Sequence, residues 1–129
     1  MGRRAIYIDG FAHGAQPIPA ASRKGPLVVT GGVHGIDRAT GALADGLEAQ
    51  TEAMFDNLSA ILVAAGGSMD DLVKLTVKVR SNEARMAVNR VWEVHFPDAA
   101  TRPARHTLLV DALPGAMLVQ CEGMAFVED

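Results

Sequence analysis

The sequence predicts a single α+β domain over residues 1–129, and three stretches carry that prediction. Apolar residues recur at helical spacing from Leu47 to Ala65, strict alternation runs from Val73 to Val79, and two apolar runs follow one another between Ala104 and Val127. A chain of 129 residues has room for one core. A 49% hydrophobic fraction with 21% charged residues is the balance of an ordinary globular protein.

Residues 1–16 read as an N-terminal arm, and the Pro- and Gly-rich stretch 10–25 as a rigid one, because Pro17-Ile18-Pro19 forces an extended path. Leu27–Thr30 is a short β-branched strand closed by Gly31-Gly32, where the backbone can approach another group closely. The run from there to Gly41 reads as turn. Asp45 with Glu48 three residues later reads as a capping box. It opens a helix whose Leu47, Thr51, Met54, Leu58, Ile61 and Ala65 share a face, and Gly66-Gly67 stops it.

Val73, Leu75, Val77 and Val79 alternate with Lys74, Thr76 and Lys78, the pattern of a half-buried strand. Ser81 is the expected N-cap of a second helix through Ala84, Val88, Val91 and His95, and Pro97 ends it. Ala104–Val110 and Met117–Val127 are then strands around a turn at Leu113-Pro114-Gly115. The order is βαβαββ. The last strand is apolar on both sides, with Met117, Val119 and Cys121 on one and Leu118, Met124 and Phe126 on the other. Two helices on one face of a sheet leave the other face bare, so further copies of the chain are expected to cover it.

Composition excludes several roles. No stretch approaches the roughly 20 apolar residues that cross a bilayer, and the N-terminus lacks a signal-type apolar region, so a cytoplasmic location is expected. Net charge is −3, and Lys74 with Lys78 is the best basic patch, too thin for a nucleic-acid surface. His13, His34, His95 and His106 are scattered without metal-ligand spacing, so no metal is expected. The single cysteine, Cys121, reads as a small buried hydrophobe. Gly31-Gly32-Val33-His34-Gly35 lacks the Lys and Ser/Thr of a phosphate loop, and a tight turn is its simpler reading.

Two residues remain that are costly where they stand. Arg105 opens an apolar strand, and its planar donor fork suits a carboxylate. Glu122 lies inside the most apolar strand, where a carboxylate is kept if it is paired, exposed or used. A strand-edge salt bridge would account for both equally well.

The C-terminal third, Arg102-Pro103-Ala104-Arg105, then Leu113-Pro114, then Val119-Gln120-Cys121-Glu122-Gly123-Met124-Ala125, resembles the reactive intermediate deaminase (RidA, or YjgF) family. Leu27–Gly32, Thr40-Gly41, Val88–Trp92 and Phe96-Pro97 extend the resemblance over nearly the whole chain from about residue 17. It implies a chorismate-mutase-like fold, a mixed sheet with two helices on one face. It also implies a trimeric, barrel-like assembly with ligand sites between subunits. The implied activity is hydrolysis of 2-enamine and 2-imine acids to 2-keto acids and ammonia, without cofactor or metal.

Residue by residue, the resemblance implies that Arg105 clamps the substrate carboxylate, Glu122 orients water, and Asn89 lines the cleft. Gly31 and Gly32 supply the backbone beside the ligand. Two departures stand out: Pro17-Ile18-Pro19 replaces a Gly-Pro-Tyr segment whose tyrosine faces the ligand, which marks Ile18 of the arm as a substrate-side residue, and His106-Thr107 replaces Ser-Cys. Strand alternation turns His106 away from Arg105 and sets Thr107 on the arginine's face. A buried Glu122 would have a raised pKa, opposed by Arg105 if the two lie close. The altered arm also admits a non-catalytic trimer that binds small keto acids. A ribonuclease role, attached to relatives, is disfavoured by the acidic balance and the 5% aromatic content.

Overall fold

In the computed structural model, which describes residues 2–128, six strands run in the order β1-β2-β3-β9-β7-β8 and a seventh, β4, also pairs with β9. They are β1 (Arg4–Ile6), β2 (Ala21–Lys24), β3 (Leu27–Thr30), β4 (Val33–His34), β7 (Leu72–Val79), β8 (Ala104–Leu109) and β9 (Val119–Phe126). A separate two-stranded ribbon pairs β5 (Ile36–Asp37) with β6 (Ala42–Leu43). The helices are α1 (Leu47–Ala64) and α2 (Ala84–His95). β7 and β8 are parallel, joined through α2, and every other pairing is antiparallel. Both parallel strands therefore need a crossover helix, and α2 supplies it.

The βαβαββ order holds as β3-α1-β7-α2-β8-β9, and the sheet is mixed as expected. Three readings are corrected. The arm and the run after Gly32 are not free of sheet: β1 and β2 form an N-terminal hairpin, and β4, β5 and β6 occupy the stretch read as turn. These strands are two to four residues long, too short to show a period. Asp45 and Glu48 do not cap α1, whose N-cap is Gly46 at φ 90°; the capping box lies at Ser68 and Asp71, opening a 3₁₀ turn. Ser81 likewise gives α2 no side-chain cap and offers only its carbonyl, to the Ala84 amide at 3.2 Å.

The stop of α1 is as read. Gly66 at φ 95° lets its own amide reach the Val63 carbonyl and that of Gly67 reach Leu62, both at 2.9 Å, a Schellman closure. Arg4 and Arg23, from the hairpin strands, then donate to the free Ala65 carbonyl at 3.3 and 2.7 Å.

The core lies between the helices and one sheet face. Met54, Phe55, Leu58 and Ile61 of α1 and Val88 of α2 are fully buried, as are Val28, Val33, Leu75, Val77, Val79 and Val119 from the strands. Cys121 is buried among them, and burial raises its thiol pKa. On β9 the inner face is Val119, Cys121, Gly123 and Ala125, and the outer face Gln120, Glu122, Met124 and Phe126. The outer face is half-exposed and apolar at one end, where Leu27 pairs with Phe126 and Val29 with Met124. No helix among the described residues is long and apolar enough to cross a membrane.

Candidate active site

Arg105 and Thr107 stand two residues apart on β8, an edge strand, so both turn toward the same side. Their partners across the ladder are Leu75 and Val77, the buried positions of β7, which fixes that side as the helix-covered one. The guanidinium of Arg105 lies 4.9 Å from the ring centroid of Trp92, and its Nη2 donates to Asn89 Oδ1 at 2.6 Å. Asn89 and Trp92 are one turn apart on α2 and so face the strand together. Platform and tether hold the guanidinium in one orientation.

What that guanidinium lacks is an anion. Arg105 Nη1 and Thr107 Oγ1 are both buried without a hydrogen-bond partner, and no carboxylate forms an ion pair with Arg105 among the described residues. Buried polar atoms are paired in almost all folded proteins, and an unpaired donor beside an unpaired hydroxyl is the form of a site awaiting a ligand. Burial first, and the nearby Arg85 cation second, lower the Arg105 pKa from its ordinary value.

Glu122 is elsewhere. It pairs with Thr76 on β7, and Thr76 pairs with His106 on β8, so all three lie on the open face of the sheet. Within one chain Arg105 and Glu122 therefore project from opposite faces, which removes the expected pull of one on the other. The burial assumed for Glu122 is also absent, because its side chain is exposed. His106 points away from Arg105, and Thr107 shares its face, as strand alternation required.

Gly31 and Gly32 belong with Glu122. Three residues, Thr30 to Gly32, oppose two on β9, Glu122 and Gly123, so the strand bulges there. Thr30 Oγ1 fills the broken ladder by accepting from the Gly123 amide and donating to the Gly31 carbonyl, both at 2.8 Å. A Cβ on Gly32 would come within 2.9 Å of the Gln120 amide group. The depression beside the bulge holds about 180 Å³ and is lined by Val29, Thr30, Lys74, Thr76, Glu122, Gly123 and Met124. Ile18 is 48% exposed on the arm segment that runs past Gly31, where a Cβ would make only ordinary contact with the Pro19 and Ala20 carbonyls, 3.8 Å away.

The residues read from sequence thus fall into two groups, Arg105 with Asn89 and Thr107, and Glu122 with Gly31, Gly32 and the arm. Trp92 went unread as a platform, although Arg85, Asn89 and Trp92 repeat at the 4-and-3 spacing of one helix face. Also unread was an aromatic cluster behind the bulge. His13 Nε2 lies 2.6 Å from the Gly32 carbonyl, and the rings of His13 and His34 are 5.7 Å apart with Phe11 against both. Scattered histidines on a loop and a two-residue strand give no periodic signal. Among the described residues no group of three or more His, Cys, Asp or Glu is gathered to hold a metal.

The chain matches a family model described as endoribonuclease L-PSP over residues 14–127. The chain belongs to this family, that of the RidA and YjgF proteins. It is 36% identical to the 2-iminobutanoate/2-iminopropanoate deaminase of Salmonella typhimurium over 102 residues, 78% of this chain and 80% of that protein. RidA from a Psychrobacter species superposes with a TM-score of 0.88 at 31% identity, over 96% of this chain and 99% of that one. The YjgF gene product of E. coli gives 0.87 at 28% identity, over 97% and 99%.

Proposed function

We propose that the protein hydrolyses 2-imino and 2-enamino acids to 2-keto acids and ammonia. The observation that carries this reading is the buried, unpartnered Nη1 of Arg105 beside the equally unpartnered hydroxyl of Thr107. A substrate carboxylate would accept from Arg105 Nη1, with Asn89 and Trp92 holding the guanidinium flat, and the Thr107 hydroxyl would donate to another group of the same ligand. The deaminase name of the Salmonella typhimurium relative supports it. The net charge of −3 argues against RNA as the substrate.

The working unit in this reading is a homotrimer in which Glu122 of one copy meets Arg105 of the next. Two features support it: the half-sites lie on opposite faces of the sheet, and the open face carries the exposed pairs Leu27–Phe126 and Val29–Met124. Glu122 would take a proton from water as its oxygen attacks the imine carbon. The carbinolamine would then collapse as its C–N bond breaks and its C=O forms, the proton held by Glu122 and the hydroxyl proton both passing to nitrogen, so that ammonia leaves and the keto acid remains. An imine is already electrophilic, and no oxidant, cofactor or covalent nucleophile enters this balance. Gly31 and Gly32 would offer backbone to the ligand, and Ile18 an apolar wall.

The test is ammonia release and semicarbazide trapping of imines made in situ by an amino-acid oxidase. Parent protein should accelerate hydrolysis, and Arg105→Ala and Glu122→Ala should each lose roughly a hundredfold or more. A second reading, a trimer that binds small keto acids without turnover, is favoured by the Pro17-Ile18-Pro19 arm, which lacks the tyrosine that the family resemblance implies. Saturable binding of 2-oxobutanoate with no acceleration of any imine would establish it instead.

A further inference from the structure

Arg85 is electrostatically misplaced in the free protein. It sits in the first turn of α2, where the helix dipole opposes a cation, and the acidic residue at that end is the exposed N-cap, Glu83. Its Nε is bonded to Asn82 Oδ1 at 3.1 Å, and no carboxylate pairs with it among the described residues. A second cation, Arg105, is close enough to feel its charge.

Topology says where this charge stands. Because α2 connects two parallel strands, it runs antiparallel to β8. From Asn89, which holds Arg105, four residues back along the helix cover about 6 Å. From Arg105, two residues forward along β8 cover about 7 Å in the same direction. Arg85 is therefore level with Thr107, whose hydroxyl is buried and unpartnered. Two cationic positions, one helical turn apart, border the same face of the same edge strand.

We propose that Arg85 and Thr107 form a second anion subsite, and that the substrates are 2-imino acids whose side chain ends in a further carboxylate. For the chemistry at the first subsite this rests on the deaminase reading above. Arg105 takes the carboxylate next to the reacting carbon, and Arg85, one helical turn along, takes the distal one. The hydrolysis is unchanged, and Arg85 decides which acid is held.

Titration calorimetry with the stable keto acids 2-oxoglutarate and 2-oxobutanoate tests the subsite without requiring turnover. Parent protein should bind the diacid roughly tenfold tighter, the worth of one charge-assisted contact. Arg85→Gln should bring that ratio to about one, and Arg85→Lys should keep an intermediate preference. A parent ratio of one or less, or an undiminished ratio in Arg85→Gln, overturns the proposal. The imine assay run beside it separates the two ideas. Diacid-selective binding without hydrolysis of any imine defeats the deaminase and leaves the subsite, whereas imine hydrolysis indifferent to the second carboxylate does the reverse.

Discussion

Arg105 was legible in the sequence as a cation at the head of an apolar strand, but its surroundings were not. That Asn89 and Trp92 hold it depends on a crossover that sets residues 16 and 13 positions away against one strand. Asn89→Ala should therefore weaken keto acid binding through a loosened guanidinium, and Asn89→Asp should weaken it more by supplying a competing anion; calorimetry reads both. Glu122 shows the opposite failure. Alternation along β9 was plain, yet the apolar residues on its outer face suggested burial that one chain does not provide. His34 yields a prediction of another kind. Burial first, and His13 second, lower its pKa from the ordinary 6.5. The folded chain then binds fewer protons than the unfolded one between those two values, so stability rises with pH there. The His34 contribution is complete above about pH 6.5 and is lost as pH falls through the folded value. Melting temperature followed from pH 7.5 to 5 should drop more steeply for the parent than for His34→Gln.

At the scale of elements, the two helices and the strand at 72–79 were legible because each is long enough to repeat its period. The short strands and the polar residues that seat them were not. Asn57 is buried on α1 and donates to the carbonyls of His34 and Ile36 at 2.9 Å while accepting from Arg38. Gln50, two helical turns further back, donates to the Ala116 carbonyl and accepts from the Leu118 amide. Hydropathy marks both as surface residues, because only tertiary contact reveals what they satisfy. Asn57→Leu should destabilise the chain by roughly 2–4 kcal/mol through stranded carbonyls on β4 and β5, measured by denaturant unfolding. Gly35→Ala belongs to the same junction. Its Cβ would lie 2.3 Å from the Gln50 carbonyl oxygen, so α1 must shift, at a cost of about 1–3 kcal/mol. Thr30→Val keeps the shape of the bulge but strands the Gly123 amide, and about 1–3 kcal/mol should again be lost.

For the whole molecule, the open sheet face was legible from a last strand apolar on both sides, while the number of copies proposed to cover it came only with the family resemblance. If the proposed trimer forms, sedimentation should give about three chain masses, and Phe126→Glu should lower it to one without unfolding the domain. Arg105→Ala and Glu122→Ala chains, each inactive alone, should recover activity when unfolded together and refolded as mixed trimers, with about a quarter of the sites complete. Recovery of nothing would overturn the site shared between copies. The order of the strands has a further consequence, for how the protein comes into being. β9 is made after every strand it joins, yet it lies between β3 and β7 and is the partner both require. At roughly 5–20 residues per second, the ribosome spends several seconds extending a chain whose helices can form but whose two half-sheets cannot meet. During that interval the edges of β3 and β7 are bare, and it is then that the nascent chain has most need of shelter from its neighbours.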